Sequence, residues 1–147
     1  MIQLSTKGRY GTRLMLDLAF HYNDGFIFLK DIAKRQNISD GYLEHLVPHL
    51  KTAGLINSLR GARGGYKLSK APSEISLKEV VQALEGSLSP VECVNAPSVC
   101  KRVSFCVTRD IWKEVGEKIS QTLESVTLRD MVEMQRNKGE APLTYNI

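Results

Sequence analysis

Three cysteines, Cys93, Cys100 and Cys106, fall within 14 residues of a chain that has no others. Their spacing, C-x6-C-x5-C, lacks the tight pairs of zinc ribbons and ferredoxins. Zinc would need a fourth nitrogen or sulfur ligand, and His21, His45 and His49 all lie in the first half. Three thiolates on a loop suit an iron–sulfur cluster with a weaker fourth ligand, a labile site that fits a sensor better than an electron carrier. The spacing leaves two other readings open: three free thiols, or a redox switch using one disulfide. An odd count in a reducing compartment makes a poor disulfide framework.

A second group of residues points to a polyanion. Arg60-Gly61-Ala62-Arg63-Gly64-Gly65 reads as a glycine-rich hairpin tip. Arginines on such a tip can enter a narrow minor groove, where the negative potential of DNA is strongest. Just upstream, Ser39 can cap a helix of which Asp40, Gly41, Tyr42, Glu44 and His45 form the first turns. The N-terminal residues of a helix in the major groove reach base edges. Glu44 can accept from a cytosine amino group, a base-reading contact because phosphates repel carboxylates. His45 can donate to a base or a phosphate. Lys7, Arg9, Lys51 and Lys67 are the expected phosphate contacts, with Arg60 and Arg63 in the wing.

These residues need elements to hold them. Tyr10, Leu14, Met15, Leu18, Ala19 and Tyr22 recur at helical spacing until Asn23-Asp24-Gly25 stops the run. Phe26–Leu29 reads as a strand stub. A short helix follows with Ile32 and Ala33 inward and Lys30, Lys34 and Arg35 outward, and Asn37-Ile38 makes the turn. The next helix extends from the Ser39 cap to about Thr52, with Tyr42, Leu43, Leu46, Val47 and Leu50 in one stripe and Gly54 as C-terminal cap. Pro48 within it predicts a kink or an early end. Leu55–Leu59 and Tyr66–Leu68 flank the arginine tip as strands. The fold class is therefore mainly α with a small β-hairpin: a winged helix-turn-helix over residues 1–70.

Beyond it, Ser76-Leu77-Lys78-Glu79 is a capping box opening a connecting helix within 71–86. Residues 87–109 form the irregular cysteine-containing segment. From about Asp110, the residues Ile111, Trp112, Val115, Ile119, Leu123 and Val126 mark a long helix with one apolar stripe. A twin helix across a two-fold axis is the expected cover for it. Thr127 and Asp130 suggest a last short helix ending the dimerisation region near residue 136, and a loose tail is expected over 137–147.

Composition agrees with a folded chain: 147 residues, 42% hydrophobic and 24% charged, are close to ordinary globular usage and argue against a disordered protein. The charge is uneven, with 11 Lys/Arg against 5 Asp/Glu in residues 1–70 and 9 against 11 thereafter. That places a basic head on a slightly acidic second half. No apolar run approaches a membrane span and no secretory leader is visible, so a cytoplasmic protein is expected. Catalysis finds no support, for there is no phosphate loop, nucleophile elbow or obvious carboxylate pair.

Leu4-Ser5-Thr6-Lys7-Gly8-Arg9-Tyr10, Ile38-Ser39 with Tyr42-Leu43-Glu44, and Arg60-Gly61 with Gly64-Gly65-Tyr66 closely resemble the bacterial Rrf-two family of transcription regulators. The three cysteines and Thr108-Arg109-Asp110-Ile111-Trp112 are most similar to its iron–sulfur cluster regulator branch, the IscR type. The resemblance covers roughly residues 2–135. It implies a homodimer that binds double-stranded DNA, with Glu44 and its neighbours in the major groove and Arg60 in the minor groove. It also implies an iron–sulfur cluster, expected as 2Fe–2S, on Cys93, Cys100 and Cys106. Where that branch carries a histidine three residues after the third cysteine, this chain has Arg109. The fourth ligand is thereby left open among Asp110, Glu92, Thr108, Arg109 and a group from the other subunit. Leu88-Ser89-Pro90-Val91-Glu92 and the wing also resemble the family's cysteine-metabolism repressor. The alternative is thus a sulfur-metabolism repressor that reads a partner enzyme or thiol oxidation, without a cluster.

Overall fold

The computed structural model describes residues 3–139. In chain order they form α1 (Thr6–Phe20), α2 (Leu29–Gln36), α3 (Asp40–Thr52), the antiparallel strands β1 (Ile56–Leu59) and β2 (Gly65–Leu68), α4 (Leu77–Glu85), α5 (Glu92–Asn95), α6 (Val107–Glu124) and α7 (Leu128–Lys138). The architecture is mainly helical with one hairpin, as the sequence predicts.

One core joins most of these elements. Leu14, Met15 and Leu18 of α1 meet Ile32 of α2, Leu43, Leu46 and Leu50 of α3, and Leu68 of β2. Ile75, Val80, Leu84, Leu128 and Val132 belong to the same core. Each fully buried aliphatic side chain of this kind contributes roughly 1.5–3 kcal/mol. The segment expected merely to connect is therefore part of the head's interior, and α7 lies with it. Gly11 shows how close that packing is: a Cβ there would overlap the Leu84 side chain.

Two capping boxes fix the second half. Ser76 and Glu79 open α4 and Thr127 and Asp130 open α7, each pair exchanging side-chain bonds with backbone amides. The two helix starts lie side by side. Ser76 bridges Thr127, Leu77 N–H donates to the Val126 carbonyl at 2.7 Å, and Leu128 N–H donates to that of Ile75 at 3.0 Å. Helix α7 continues through Lys138 and so takes in the first two residues of the expected tail. The remainder of that expected tail, residues 140–147, lies outside the described residues.

Other expectations shift locally. Helix α3 does not end at Pro48 but continues to Thr52. Pro48 and Glu44 both lie on its exposed face, where water can serve the Glu44 carbonyl that loses its donor. The stub at Phe26–Leu29 is one bridge long. Ile27 and Tyr66 exchange N–H···O bonds of 2.8 Å each, which ties α2's entry to the wing. Helix α6 starts at Val107, ahead of the expected Asp110. None of its residues is buried, and Ile111 and Trp112 are 50% and 41% exposed.

Candidate nucleic-acid interface and cysteine segment

The turn aiming α3 is short and tightly made. Asn37 adopts the left-handed conformation at φ 54°, and its N–H donates to the Ala33 carbonyl. Ser39 Oγ then accepts the Tyr42 N–H at 3.2 Å, capping α3. Behind this turn lies a buried charge. Asp17 of α1, only 3% exposed, accepts from Arg35 Nε (3.0 Å) and Nη2 (2.7 Å) and from Gln36 Nε2 (3.0 Å). Asp17 raises the Arg35 pKa by hydrogen bonding, against the opposing effect of partial burial. Arg35 is on the outer face as expected, yet it is the partner that makes Asp17's burial tolerable. Arg13 continues the network, donating through Nε to Gln36 Oε1 at 3.2 Å and through Nη2 to the Gln36 carbonyl.

Tyr10 links α1 to α3. Its ring meets that of Tyr42 edge-on at 5.8 Å, with the guanidinium groups of Arg9 and Arg13 5.7 and 5.5 Å from its centroid. Arg9 also donates to Thr6 Oγ1 at 3.3 Å. Ser39, Asp40, Gly41, Glu44, His45 and Lys51 are exposed along α3, with Tyr42 half-buried. Gly41 has open space where a Cβ would stand. The fold does not demand glycine there, so its bare backbone is available for close approach by a ligand.

The wing has different requirements. Its register pairs Ile56 with Leu68 and Leu59 with Gly65. A Cβ on Gly64 would overlap the Leu59 carbonyl, and one on Gly65 that of Ile27. Gly61 and Gly65 also have positive φ, 105° and 135°. These glycines are required by the hairpin and its docking on the stub. Arg60 and Arg63 project from the exposed tip. Lys67 is half-buried, with its ammonium 4.8 Å from the centre of the Phe26 ring. Between α3 and the wing runs an open groove of about 400 Å³ lined by Glu44, Val47, Pro48, Lys51, Thr52 and Tyr66.

The cations expected to meet phosphates carry no ion pair, a property that other surface cations among the described residues, such as Lys30, Lys34, Lys113 and Lys118, share. Among the described residues, Lys7, Arg9, Lys51, Arg60, Arg63 and Lys67 have no carboxylate within 4.0 Å, whereas Lys70, Lys78 and Arg129 pair with Glu79, Glu124 and Glu133. Unpaired cations beside a helix start and an arginine-tipped hairpin are what a phosphate backbone needs.

The cysteines sit apart from that face. Cys93 lies in α5, Cys100 follows a short turn at Pro97–Val99, and Cys106 precedes the first residue of α6. All three are free and partly buried. Cys106 Sγ lies 3.1 Å from Thr108 Oγ1. This hydrogen bond, followed by that from the Arg109 amide, lowers the Cys106 thiol pKa. Among the described residues no three His, Cys, Asp or Glu side chains are gathered as a metal site. The donor chemistry nevertheless fits an iron–sulfur cluster at three positions, since thiols are its usual ligands. Arg109 does not suit the fourth. A guanidinium offers no free lone pair, and Nε of Arg109 donates to the Cys93 carbonyl at 3.2 Å. Its place is structural, tying α6 to α5.

Sequence reading passed over Asp17, Arg13 and Glu85. Asp17 had a signal, a carboxylate inside the run Leu14-Met15-Leu16-Asp17-Leu18-Ala19. Glu85 had none, for it ends an amphipathic helix 80 residues from the Ser5 it contacts.

Comparison with known proteins agrees with this arrangement. The Rrf2 family model, described as an iron-dependent transcriptional regulator, matches residues 4–134. Protein rrf2 of Nitratidesulfovibrio vulgaris is 43% identical over 131 residues, covering 89% of this chain and 87% of that protein. The structure of T. potens IscR superposes with a TM-score of 0.77 at 39% identity, covering 95% of this chain and 93% of the other. That of CymR, the global cysteine regulator of B. subtilis, also gives 0.77, at 38% identity over 92% and 99% of the two chains. The named relatives are regulators of transcription rather than enzymes, and this chain belongs to the Rrf2 family of DNA-binding transcriptional regulators.

Proposed function

We propose that the chain acts as a homodimeric regulator that reads operator DNA with α3 and the wing and senses iron–sulfur or redox status through Cys93, Cys100 and Cys106. The observation that carries the sensing half is the donor set: three free, partly exposed thiols in one segment, set against α6 by the Arg109 bond to Cys93. When bound, a 2Fe–2S cluster would supply a centre whose charge and integrity depend on oxygen and iron supply. The chain's own part is to hold that centre and convert its presence into an arrangement of the two heads. Dimerisation through the exposed apolar stripe of α6 would place two copies of α3 about one DNA turn apart, roughly 34 Å or a multiple, so a modest reorientation changes operator affinity.

On the DNA, Ser39, Gly41, Tyr42, Glu44 and His45 would face the major groove and Arg60 and Arg63 the minor groove, with Lys7, Arg9 and Lys51 on phosphates. No helix among the described residues is long and apolar enough to cross a membrane. A cytoplasmic site of action is part of the same proposal.

The second reading is a repressor of sulfur metabolism that responds to a partner enzyme or to thiol oxidation. Its support is the likeness to CymR, Arg109 in place of a ligating side chain, and a Cys106 thiol predisposed to ionise. Anaerobic purification or reconstitution, followed by a visible spectrum and iron and acid-labile sulfide assays, separates the two. A sulfide-containing chromophore abolished by Cys93→Ala, Cys100→Ala and Cys106→Ala supports the cluster. A colourless protein under conditions that load a known cluster protein favours the thiol or partner reading.

A further inference from the structure

The first turn of α1 carries Lys7 and Arg9, and it is capped by a residue from the far end of α4. Glu85 Oε1 accepts from Ser5 N–H at 3.2 Å, from Gly8 N–H at 3.1 Å and from the Ser5 hydroxyl. Ser5 Oγ itself accepts the Gly8 N–H at 3.2 Å. A Cβ on Gly8 would overlap Glu85 Oε1, so glycine at position 8 makes room for this carboxylate. The arrangement satisfies amides at a helix start, where a negative charge is also favoured by the helix dipole.

Glu85 is also where the path to the cysteine segment begins. Gly86, at φ 82°, turns the chain out of α4. Ser87 Oγ accepts from Ser89 N–H at 3.1 Å and from Asn95 Nδ2. Asn95 ends α5, the four-residue helix that contains Cys93, and Arg109 of α6 holds the Cys93 carbonyl. Pro90 packs against Gly116 of α6, where an added Cβ would stand 3.0 Å from the proline ring. Glu85, Ser87, Ser89, Pro90 and Ile119 share the walls of one cavity of about 210 Å³ with Gln3 and Leu4, the residues leading into α1. Thus the entry to α1, the start of the cysteine segment and α6 meet at one place.

We propose that Glu85 is the positioning residue that couples the cysteine segment to the DNA-reading head, with Ser87 and Asn95 as the link between them. A change at Cys93 moves α5, the intact Asn95–Ser87 bond carries that movement to Ser87, and the pull shifts the Glu85 carboxylate that orders the α1 turn bearing Lys7 and Arg9. The inference rests on reading residues 93–106 as the sensing segment, but it does not depend on whether the signal is a cluster or a modified thiol.

The test is hydrogen exchange followed by mass spectrometry on the full chain, over peptides spanning residues 3–13, before and after alkylation of the cysteines by iodoacetamide. Loss of hydrogen bonds to a charged acceptor corresponds to about a tenfold or larger change in local opening. In the wild type, alkylation should accelerate exchange across residues 6–9 by about that factor. Glu85→Ala should show the acceleration without alkylation, and alkylation should then add nothing; Glu85→Gln, which keeps the side-chain volume, should fall between. Ser87→Ala separates coupling from mere stability: its unmodified exchange should match the wild type, but it should not respond to alkylation. The proposal is overturned if alkylation leaves the first turn of the wild type unchanged, or if Ser87→Ala or Glu85→Ala responds as fully as the wild type. Failure of the cluster reading would appear separately, as absence of iron and sulfide.

Discussion

Replacing Arg35 with methionine should strand a buried carboxylate beneath the helix-turn-helix. Asp17 is 3% exposed and Arg35 40%. The substitution removes two of the three side-chain hydrogen bonds to Asp17 and leaves only that from Gln36 Nε2. Breaking a fully buried pair by removing one partner costs about 3–5 kcal/mol. Arg35 is open on one side, and water entering there reduces the expected loss to about 2–3 kcal/mol. Asp17→Asn removes the charge and keeps the shape. Combined with Arg35→Met it should therefore cost less than Arg35→Met alone, because no buried charge remains to be stranded. Urea unfolding followed by circular dichroism measures this, at one protein concentration so that any self-association affects all variants alike. The coupling from the four-variant cycle should exceed about 1 kcal/mol in magnitude. An Arg35→Met variant within about 0.5 kcal/mol of the wild type, or additive single effects, would refute the assignment of Arg35 as the group that permits Asp17's burial.

Three other outcomes follow from the same geometry. Arg60→Ala should weaken operator binding by about 1–3 kcal/mol and relax sequence preference, whereas Lys51→Ala should weaken all sequences alike and reduce the salt slope by about one; equal operator affinity for Arg60→Ala and the wild type, by fluorescence anisotropy, would displace the wing from the minor groove. The carboxyls of Asp130 and Glu79 lie below their ordinary range. The Thr127 amide and hydroxyl lower Asp130; for Glu79, burial acts upward but is outweighed by the Ser76 amide and Lys70 together. As pH falls the unfolded chain takes up these protons first, so stability present above the unfolded pKa, about 4, is lost below it. Glu79→Gln with Asp130→Asn should flatten the decline between about pH 5 and pH 3, and a double variant with an undiminished decline would count against the capping boxes as its source. Finally, Cys106 should alkylate before Cys93 and Cys100 at neutral pH, and Thr108→Val should slow it. Peptide mass spectrometry that finds another cysteine modified first would contradict the role given to Thr108.

Most of the reading head was legible in the chain because its cues are local. A serine before a helical stripe, apolar residues at offsets of three and four, a glycine after the last turn and an arginine-tipped hairpin each specify structure within a few residues. The same holds for both capping boxes of the second half and for the gathering of all cysteines into 14 residues. Helix α3's passage through Pro48 was less legible: a proline's cost depends on whether the orphaned carbonyl faces water, which is a property of the packed helix.

The sequence alone therefore determined a basic winged head, a cysteine segment and a one-striped helix. Tertiary structure decided how those parts meet. Only the packed chain brings Asp17 under Arg35, α4 and α7 into the head's core, and Glu85 onto the Ser5 and Gly8 amides. Contacts between residues 18 to 80 positions apart leave no periodic trace, because a single carboxylate reads the same in sequence whether water or a distant helix start is its partner. Folding makes that choice, since a buried charge or an uncapped amide must find a donor or acceptor within reach.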